Sequence, residues 1–320
     1  MKEVAIGIDI GGTNSVLGII DRAGNCLAES CIPTQTHSEI EMFLKDLAHD
    51  IHRIIDDLTE IVTVKGIGIG APNGNYYNGT IEYAPNLVWK GVLPLVELMK
   101  KYVDFPTIVL TNDANAAAIG EMIYGGAQGM KDFIMITLGT GVGSGVVING
   151  NLVYGHDGFA GEIGHIVVDQ MGRECGCGRR GCLETYASAP GLKRTVFELL
   201  ADTSRSSTLR SVSYEKMNAK TIHNAALKND QIALDAFDFT GEILGKVLAD
   251  CVAFSSPEAI FLFGGLANAG DFIFKPTKHY MEENLLQIFK NKIKLLPSKL
   301  SGAHAAILGA SALVWQEEIN

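Results

Sequence analysis

Cys175, Cys177 and Cys182 fall within eight residues of the segment GRECGCGRRGCLE (172–184), downstream of EIGH at Glu162–His165. Three thiolates with the imidazole of His165 make the ligand set that a closed, four-coordinate structural zinc takes. Glycines at 176, 178 and 181 let a short chain wrap an ion without Cβ clashes. Glu162 and Glu184 bracket the set, so carboxylates line the pocket that the ion would shape. Carboxylates accept hydrogen bonds from vicinal hydroxyls, and a zinc-bound imidazole keeps its second N–H for a neighbour. Glu162, His165 and Glu184 therefore read as a hydroxyl-recognising set, to which Asn112 can add an amide donor and acceptor.

A second centre lies at Asn112–Gly120, NDANAAAIG, which opens an alanine-rich helix with Asp113 near its positive end. Asp113 fits two roles: a helix cap, or a carboxylate that takes the proton of a substrate hydroxyl as phosphoryl transfer begins. Asp9 stands beside the first of two glycine turns and suits magnesium or its water shell, since hard oxygens pair with that ion. The turns are Asp9–Thr13, DIGGT, and Gly139–Gly145, GTGVGSG. Each can offer backbone N–H groups to phosphate oxygens, helped by the hydroxyls of Thr13 and Thr140, or each can be only a tight hairpin. Neither contains GxxxxGK[ST], and GTGVGSG runs into a strand, which argues against a dinucleotide fold. Gly264-Gly265 reads as a helix entrance or as a close backbone approach to an adenine ring.

These groups need elements to hold them. Apolar Val4–Ile8 and Val16–Ile20 read as a hairpin joined by DIGGT, with a further turn at Gly24-Asn25. Apolar residues from Ile40 to Leu58 recur on one face of a helix. Ile67–Ile69, Thr107–Leu110, Phe133–Leu138 and Ile260–Phe263 read as short buried strands, and Val146–Ile148 as a returning strand before the Asn149-Gly150 turn. Strand, glycine turn, strand thus occurs twice, a weak internal symmetry that suggests two related α/β domains facing a cleft. Ser204–Ser213 reads as an exposed connection. An alanine-rich helix over Ala303–Trp315 has side chains small enough to pack closely on the first domain.

At 320 residues and 47% apolar content the chain can bury two cores. A formal net charge of −10 argues against a nucleic-acid surface. The absence of a basic segment before an apolar N-terminal stretch, and of a long unbroken apolar run, predicts a cytoplasmic protein with no membrane partner. With three of six cysteines clustered as ligands, Cys26, Cys31 and Cys251 are expected as ordinary partly buried thiols rather than a disulfide framework. The histidines other than His165 show no ligand spacing and are expected in solvent or packing roles.

Together the motifs resemble the ROK family of bacterial repressors and sugar kinases, with matches running from Asp9–Thr13 through Asn112–Asn115, Leu138–Gly145, Glu162–His165 and Cys175–Glu184 to Gly265. The resemblance implies a two-domain actin-like ATPase (ribonuclease H-like) α/β fold with an interdomain cleft. Its smaller domain would span 1–118, completed by a C-terminal helix at about 303–320, and its larger domain 119–302 with the zinc-binding segment. It implies ATP-dependent phosphorylation of a hexose at its 6-hydroxyl, with Asp113 as general base. Asn86, Asn112, Asp113, Glu162, His165 and Glu184 would contact the sugar, and His165 would also bind zinc. Asp9, Gly11, Gly12, Thr13, Thr140 and Gly141 would serve the phosphates and magnesium, and Gly264 and Gly265 the adenosine. Glucose is the first expected substrate, with N-acetylmannosamine, allose or another hexose as alternatives, and a homodimer or homotetramer as the expected assembly. Asn73 departs from the family pattern, where a Pro-Gly pair is common, and puts the sugar's identity in question. A repressor would carry a DNA-binding helix-turn-helix ahead of Asp9, where only eight residues stand; a catalytically silent sugar binder is the alternative of a different class.

Overall fold

The computed structural model describes residues 1–300 and 304–319. The expected helix start at 303, its end at 320 and the domain limit at 302 lie outside them.

The first sheet is built from β1 (Lys2–Ile10), β2 (Asn14–Asp21), β3 (Cys26–Pro33), β4 (Val62–Gly70) and β8 (Ile108–Thr111), in the order β3-β2-β1-β4-β8. β1 pairs antiparallel with β2 and parallel with β4, which puts Asp9 opposite Gly70. Between β4 and β8 run a small sheet of β5 (Gly74–Asn75), β6 (Thr80–Glu82) and β7 (Val92–Leu93), then the short helix α2 (Leu95–Met99). Helix α1 (Ile40–Asp56) turns Phe43, Leu44, Leu47, Ile51 and Ile54 onto the sheet's own apolar cluster with Ile6, Ile8 and Ile67. Burying each such side chain stabilises the fold by about 1.5–3 kcal/mol.

The second sheet repeats the first. It consists of β9 (Phe133–Leu138), β10 (Val142–Ile148), β11 (Asn151–Leu152), β12 (Ala259–Phe263) and β13 (Lys294–Pro297), in the order β11-β10-β9-β12-β13. Its pairings have the same senses: β9–β10 and β10–β11 antiparallel, β9–β12 and β12–β13 parallel. The repeat that two glycine motifs only hinted at extends through all five strands. Its core joins Ile134, Ile136, Ile260 and Leu262 to the helical layer of α4 (Glu184–Ala187), α5 (Ala189–Asp202), α6 (Ala219–Ala226), α7 (Gln231–Ser255) and α8 (Asp271–Asn284). Among the described residues no helix is long and apolar enough to cross a membrane.

Two helices link the sheets. α3 (Asp113–Ile123) packs on β9 and β10 and on α9 (Ala305–Ile319), and α9 packs on β1 and β4. The expected close packing of the alanine-rich helix is borne out: a Cβ at Gly7 would fall 1.9 Å from the carbonyl oxygen of Ile307, and one at Gly68 1.9 Å from that of Ala310.

The expected turn at Gly139–Gly145 is corrected to Gly139–Gly141, because β10 already pairs with β9 from Val142. Gly143 and Gly145 are strand residues whose bare Cα atoms admit α3: Cβ atoms there would lie 2.9 Å from the Cβ of Ala114 and 2.6 Å from that of Ala118. Ser204–Ser213 is less exposed than its composition implies, since a 3-10 turn at Thr208–Ser211 buries Leu209. Cys31 is exposed on the edge strand β3 and Cys251 is buried, so only Cys26 is partly buried as expected.

Candidate active site

Asp113 is the first residue of α3, and the cap is Asn112. The Asn112 Oδ1 accepts from the N–H groups of Ala114 at 2.9 Å and Asn115 at 3.1 Å, which settles the helix start. Asp113 is thereby released from capping, although its Oδ1 accepts from Ala114 N–H at 2.9 Å. The residue is exposed, its side chain opening into a cavity of about 380 Å³. Desolvation raises its carboxyl above the ordinary range, and the Ala114 N–H offsets part of that. Asp9, at the end of β1, is pushed up to about 6, first by burial and then by the charge of Asp113. Gly70 lies between them; a Cβ there would come 3.6 Å from the Asp113 Cα and 3.9 Å from Asp9 Oδ1.

The same cavity is lined by Asn86, Asn112, Glu162, His165 and Glu184, so every residue expected at the sugar meets Asp113 in one place. Thr140, Gly141 and Gly264 line it too, whereas Gly11, Gly12, Thr13 and Gly265 do not. Gly12 reaches it indirectly, packed so close to Asn86 that a Cβ would sit 2.6 Å from that residue's carbonyl oxygen. Gly265 lines a neighbouring pocket of about 280 Å³ that shares Phe263 and Gly264 with the main cavity.

Hydrogen bonding narrows the donors each turn can offer an anion. Gly11 spends its N–H on Asn14 at 3.0 Å, which leaves those of Gly12 and Thr13. In the second turn Gly139 N–H closes on the Gly141 carbonyl at 3.0 Å and Gly143 N–H on Thr137 Oγ1 at 3.1 Å. Val142 N–H goes to Glu184 Oε2 at 3.0 Å, which leaves Thr140 and Gly141. That bond ties the cysteine-rich segment to the turn. It also explains the glycine at 141, where a Cβ would lie 2.4 Å from the same carboxylate oxygen.

The four expected metal ligands come together: one ligand atom each from His165, Cys175, Cys177 and Cys182 lies within 4.8 Å of all the others. Cys177 and Cys182 sulfurs are 3.7 Å apart, and Cys175 Sγ is 3.8 Å from His165 Nδ1. Tetrahedral zinc with ordinary bond lengths requires separations of about 3.5–3.8 Å, so the donors fit that ion. His165 faces the cluster with Nδ1, and its Nε2 lies 3.9 Å from Glu162 Oε2. Burial raises the Glu162 carboxyl; the His165 imidazole opposes this, while Asp113 and Glu184 add to it.

Sequence reasoning missed Thr137 and Phe263 in the cavity wall, since nothing marks them among strand residues. Asn73 also lines it, with φ at 52°, the left-handed region a glycine would occupy. Its Nδ2 donates to the Glu82 carbonyl at 2.9 Å, so the side chain is held by the small sheet. His304, expected in a solvent or packing role, places its Nδ1 2.9 Å from Glu29, and Cys26 joins them within 4.8 Å.

The chain is similar to known proteins along nearly its whole length. The profile described as ROK family matches residues 5–317. A glucokinase of Halalkalibacterium halodurans is 35% identical over 325 residues, covering 98% of this chain and 95% of that protein. The crystal structure of a ROK family glucokinase from Streptomyces griseus in complex with glucose and AMPPNP superposes with a TM-score of 0.80 at 33% identity, over 98% of this chain and 99% of that one. The DNA-binding transcriptional dual regulator NagC of Escherichia coli is 29% identical over 322 residues, which is 99% of this chain but 76% of the regulator.

Proposed function

The chain belongs to the ROK family, and on that premise we propose that it transfers the γ-phosphoryl group of ATP to the 6-hydroxyl of glucose, giving glucose 6-phosphate and ADP. The observation that carries this reading is Asp113, freed from capping by Asn112 and open to a cavity shared with a glycine turn and the Glu162–His165–Glu184 set. Likeness to glucokinases along nearly the whole chain supports glucose over N-acetylmannosamine or allose.

In this reading Asn86, Asn112, Glu162, His165 and Glu184 hold the sugar's hydroxyls so that the 6-hydroxyl faces Asp113. The raised carboxyl of Asp113 is a stronger base than an ordinary aspartate and takes the hydroxyl proton as the oxygen attacks phosphorus. Gly12, Thr13, Thr140 and Gly141 donate to the phosphates, and Gly264-Gly265 approach the adenosine. Asp9 would hold magnesium or its water shell, an ion that neutralises charge on the phosphates when bound. Zinc held by His165, Cys175, Cys177 and Cys182 would fix the imidazole through Nδ1 and leave its Nε2–H to the substrate side. The unit built on the first sheet with the C-terminal helix, and the unit built on the second sheet, close on the substrates and exclude water. A homodimer or homotetramer in the cytoplasm completes the proposal.

The test is ADP release with magnesium across glucose, N-acetylmannosamine, mannose and allose, for the native chain and Asp113→Asn. Asparagine keeps the oxygen that accepts from Ala114 but is no base, so turnover should fall about 10²–10⁴-fold while glucose still binds. A variant with native turnover removes Asp113 from the role of base. A native protein that binds glucose without releasing ADP is a sugar-sensing regulator instead.

A further inference from the structure

Glu121 sits inside the molecule, two turns along α3 from Asp113, with none of its surface exposed. Burying a carboxylate is costly unless donors satisfy it. Here four converge on it. Its Oε1 accepts from the N–H groups of Gly126 at 2.6 Å and Lys299 at 2.9 Å, and its Oε2 accepts from the hydroxyl of Ser298 and from Leu300 N–H at 3.4 Å. Three of the four donors belong to the short segment 298–300 that leaves β13. Ser298 and Leu300 form a wall of the 280 Å³ pocket whose other side carries Gly264 and Gly265. Ser298 N–H also bonds the Leu262 carbonyl at 2.9 Å, so the segment is pinned to β12 on one side and to α3 on the other.

We propose that Glu121 is a positioning residue for the nucleotide: its carboxylate fixes segment 298–300 as the wall against which the purine of ATP lies. The inference rests on the kinase reading, in which the Gly264-Gly265 pocket takes the adenosine. It adds that one rigid helix carries both the base at its first residue and, about 12 Å further along, the group that shapes the nucleotide pocket. The two substrates are thereby registered against a common element rather than against separate loops.

Glu121→Gln is the direct test. A glutamine has the same length but turns one acceptor into a donor, and every partner it meets is itself a donor, with only the Ser298 hydroxyl able to reverse. We expect the dissociation constant of a non-hydrolysable ATP analogue, and KM for ATP, to rise about tenfold, with KM for glucose held within about twofold. Ser298→Ala removes one of the four donors and should raise the analogue's dissociation constant about threefold in a protein that still folds, with a lower unfolding midpoint because Glu121 loses a partner. Unchanged nucleotide affinity in a folded Glu121→Gln protein overturns the proposal, as does an equal weakening of glucose and nucleotide. If Glu121→Gln does not fold, unchanged affinity in Ser298→Ala overturns it. Equilibrium binding separates the two readings. A native protein that binds the analogue but never phosphorylates sugar defeats the kinase assignment and leaves Glu121 to be judged, whereas one that binds no nucleotide defeats both.

Discussion

Gly145→Ala perturbs the proposed base without touching the cavity. The added methyl would lie 2.6 Å from the Ala118 Cβ and 3.0 Å from the Ala114 carbonyl oxygen. Carbon atoms in contact sit about 3.5–4.0 Å apart, so β10 and α3 must separate by roughly 1 Å. Neither neighbour is a flexible side chain, and the displacement therefore falls on the helix itself. Overpacking of this kind costs about 1–3 kcal/mol. Asp113 is five residues from Ala118, about 7.5 Å along a stiff axis, and moves with it. A 1 Å misplacement of a reacting group is worth up to about 10²-fold in rate. ADP release should show that loss mainly in kcat, with a smaller rise in KM for glucose because Asn112 caps the same helix, and denaturant unfolding should show the lower stability. Adding Ala118→Gly removes the obstructing carbon and should restore most of kcat, while glycine inside the helix keeps the double variant about 1 kcal/mol less stable. A single variant with native kcat, or a double variant as slow as the single, refutes the claim that this contact sets the position of Asp113.

The raised carboxyl of Asp9 gives the protein a pH signature. Its proton is held more tightly in the folded state, about 6 against an ordinary 3.8, so its stabilising contribution is full below 3.8 and is lost as pH rises through about 6. Asp9→Asn should flatten denaturant stability across that window, and identical slopes in the two proteins would remove Asp9 as the cause; activity of the native protein should fall below about pH 6 as Asp9 takes up its proton. Cys177→Ser should lower zinc content measured by elemental mass spectrometry and raise KM for glucose about tenfold by loosening His165. A metal-free variant with native KM would show that the cluster does not orient the imidazole.

The parts of the site that were legible in the sequence are those whose chemistry depends on residue type at short range. Three cysteines around glycines must converge on something, and NDA before an alanine run must start a helix. The parts that were hidden depend on partners distant in the chain. Gly143 and Gly145 looked like turn residues because the helix that needs their missing side chains lies far upstream, and its alanines carry the other half of the signal. Strand β3 escaped notice because an edge strand with one wetted face, CLAESCIP, offers only a weak alternation. Helix α7 gave little periodic signal because it buries residues around much of its circumference, from Ile232 to Val252. Glu121 follows NDANAAAIG with nothing local to set it apart; only its four donors, three of them from 298–300, reveal its place.

The seating of α9 against Gly7 and Gly68 bears on how the chain comes to be folded. The first sheet is made early, yet one of its faces is covered by the last helix of the chain. Until that helix has emerged, β1 and β4 present the face of Ala5, Gly7 and Gly68 to water, and the N-terminal half is left as an open template for mispairing. The second sheet and its helical layer lie within residues 133–297 and can settle without the last helix. Contacts so distant along the chain make the closing step slow. Chains cut short before α9 should therefore accumulate as aggregates of the first half rather than as a working fragment.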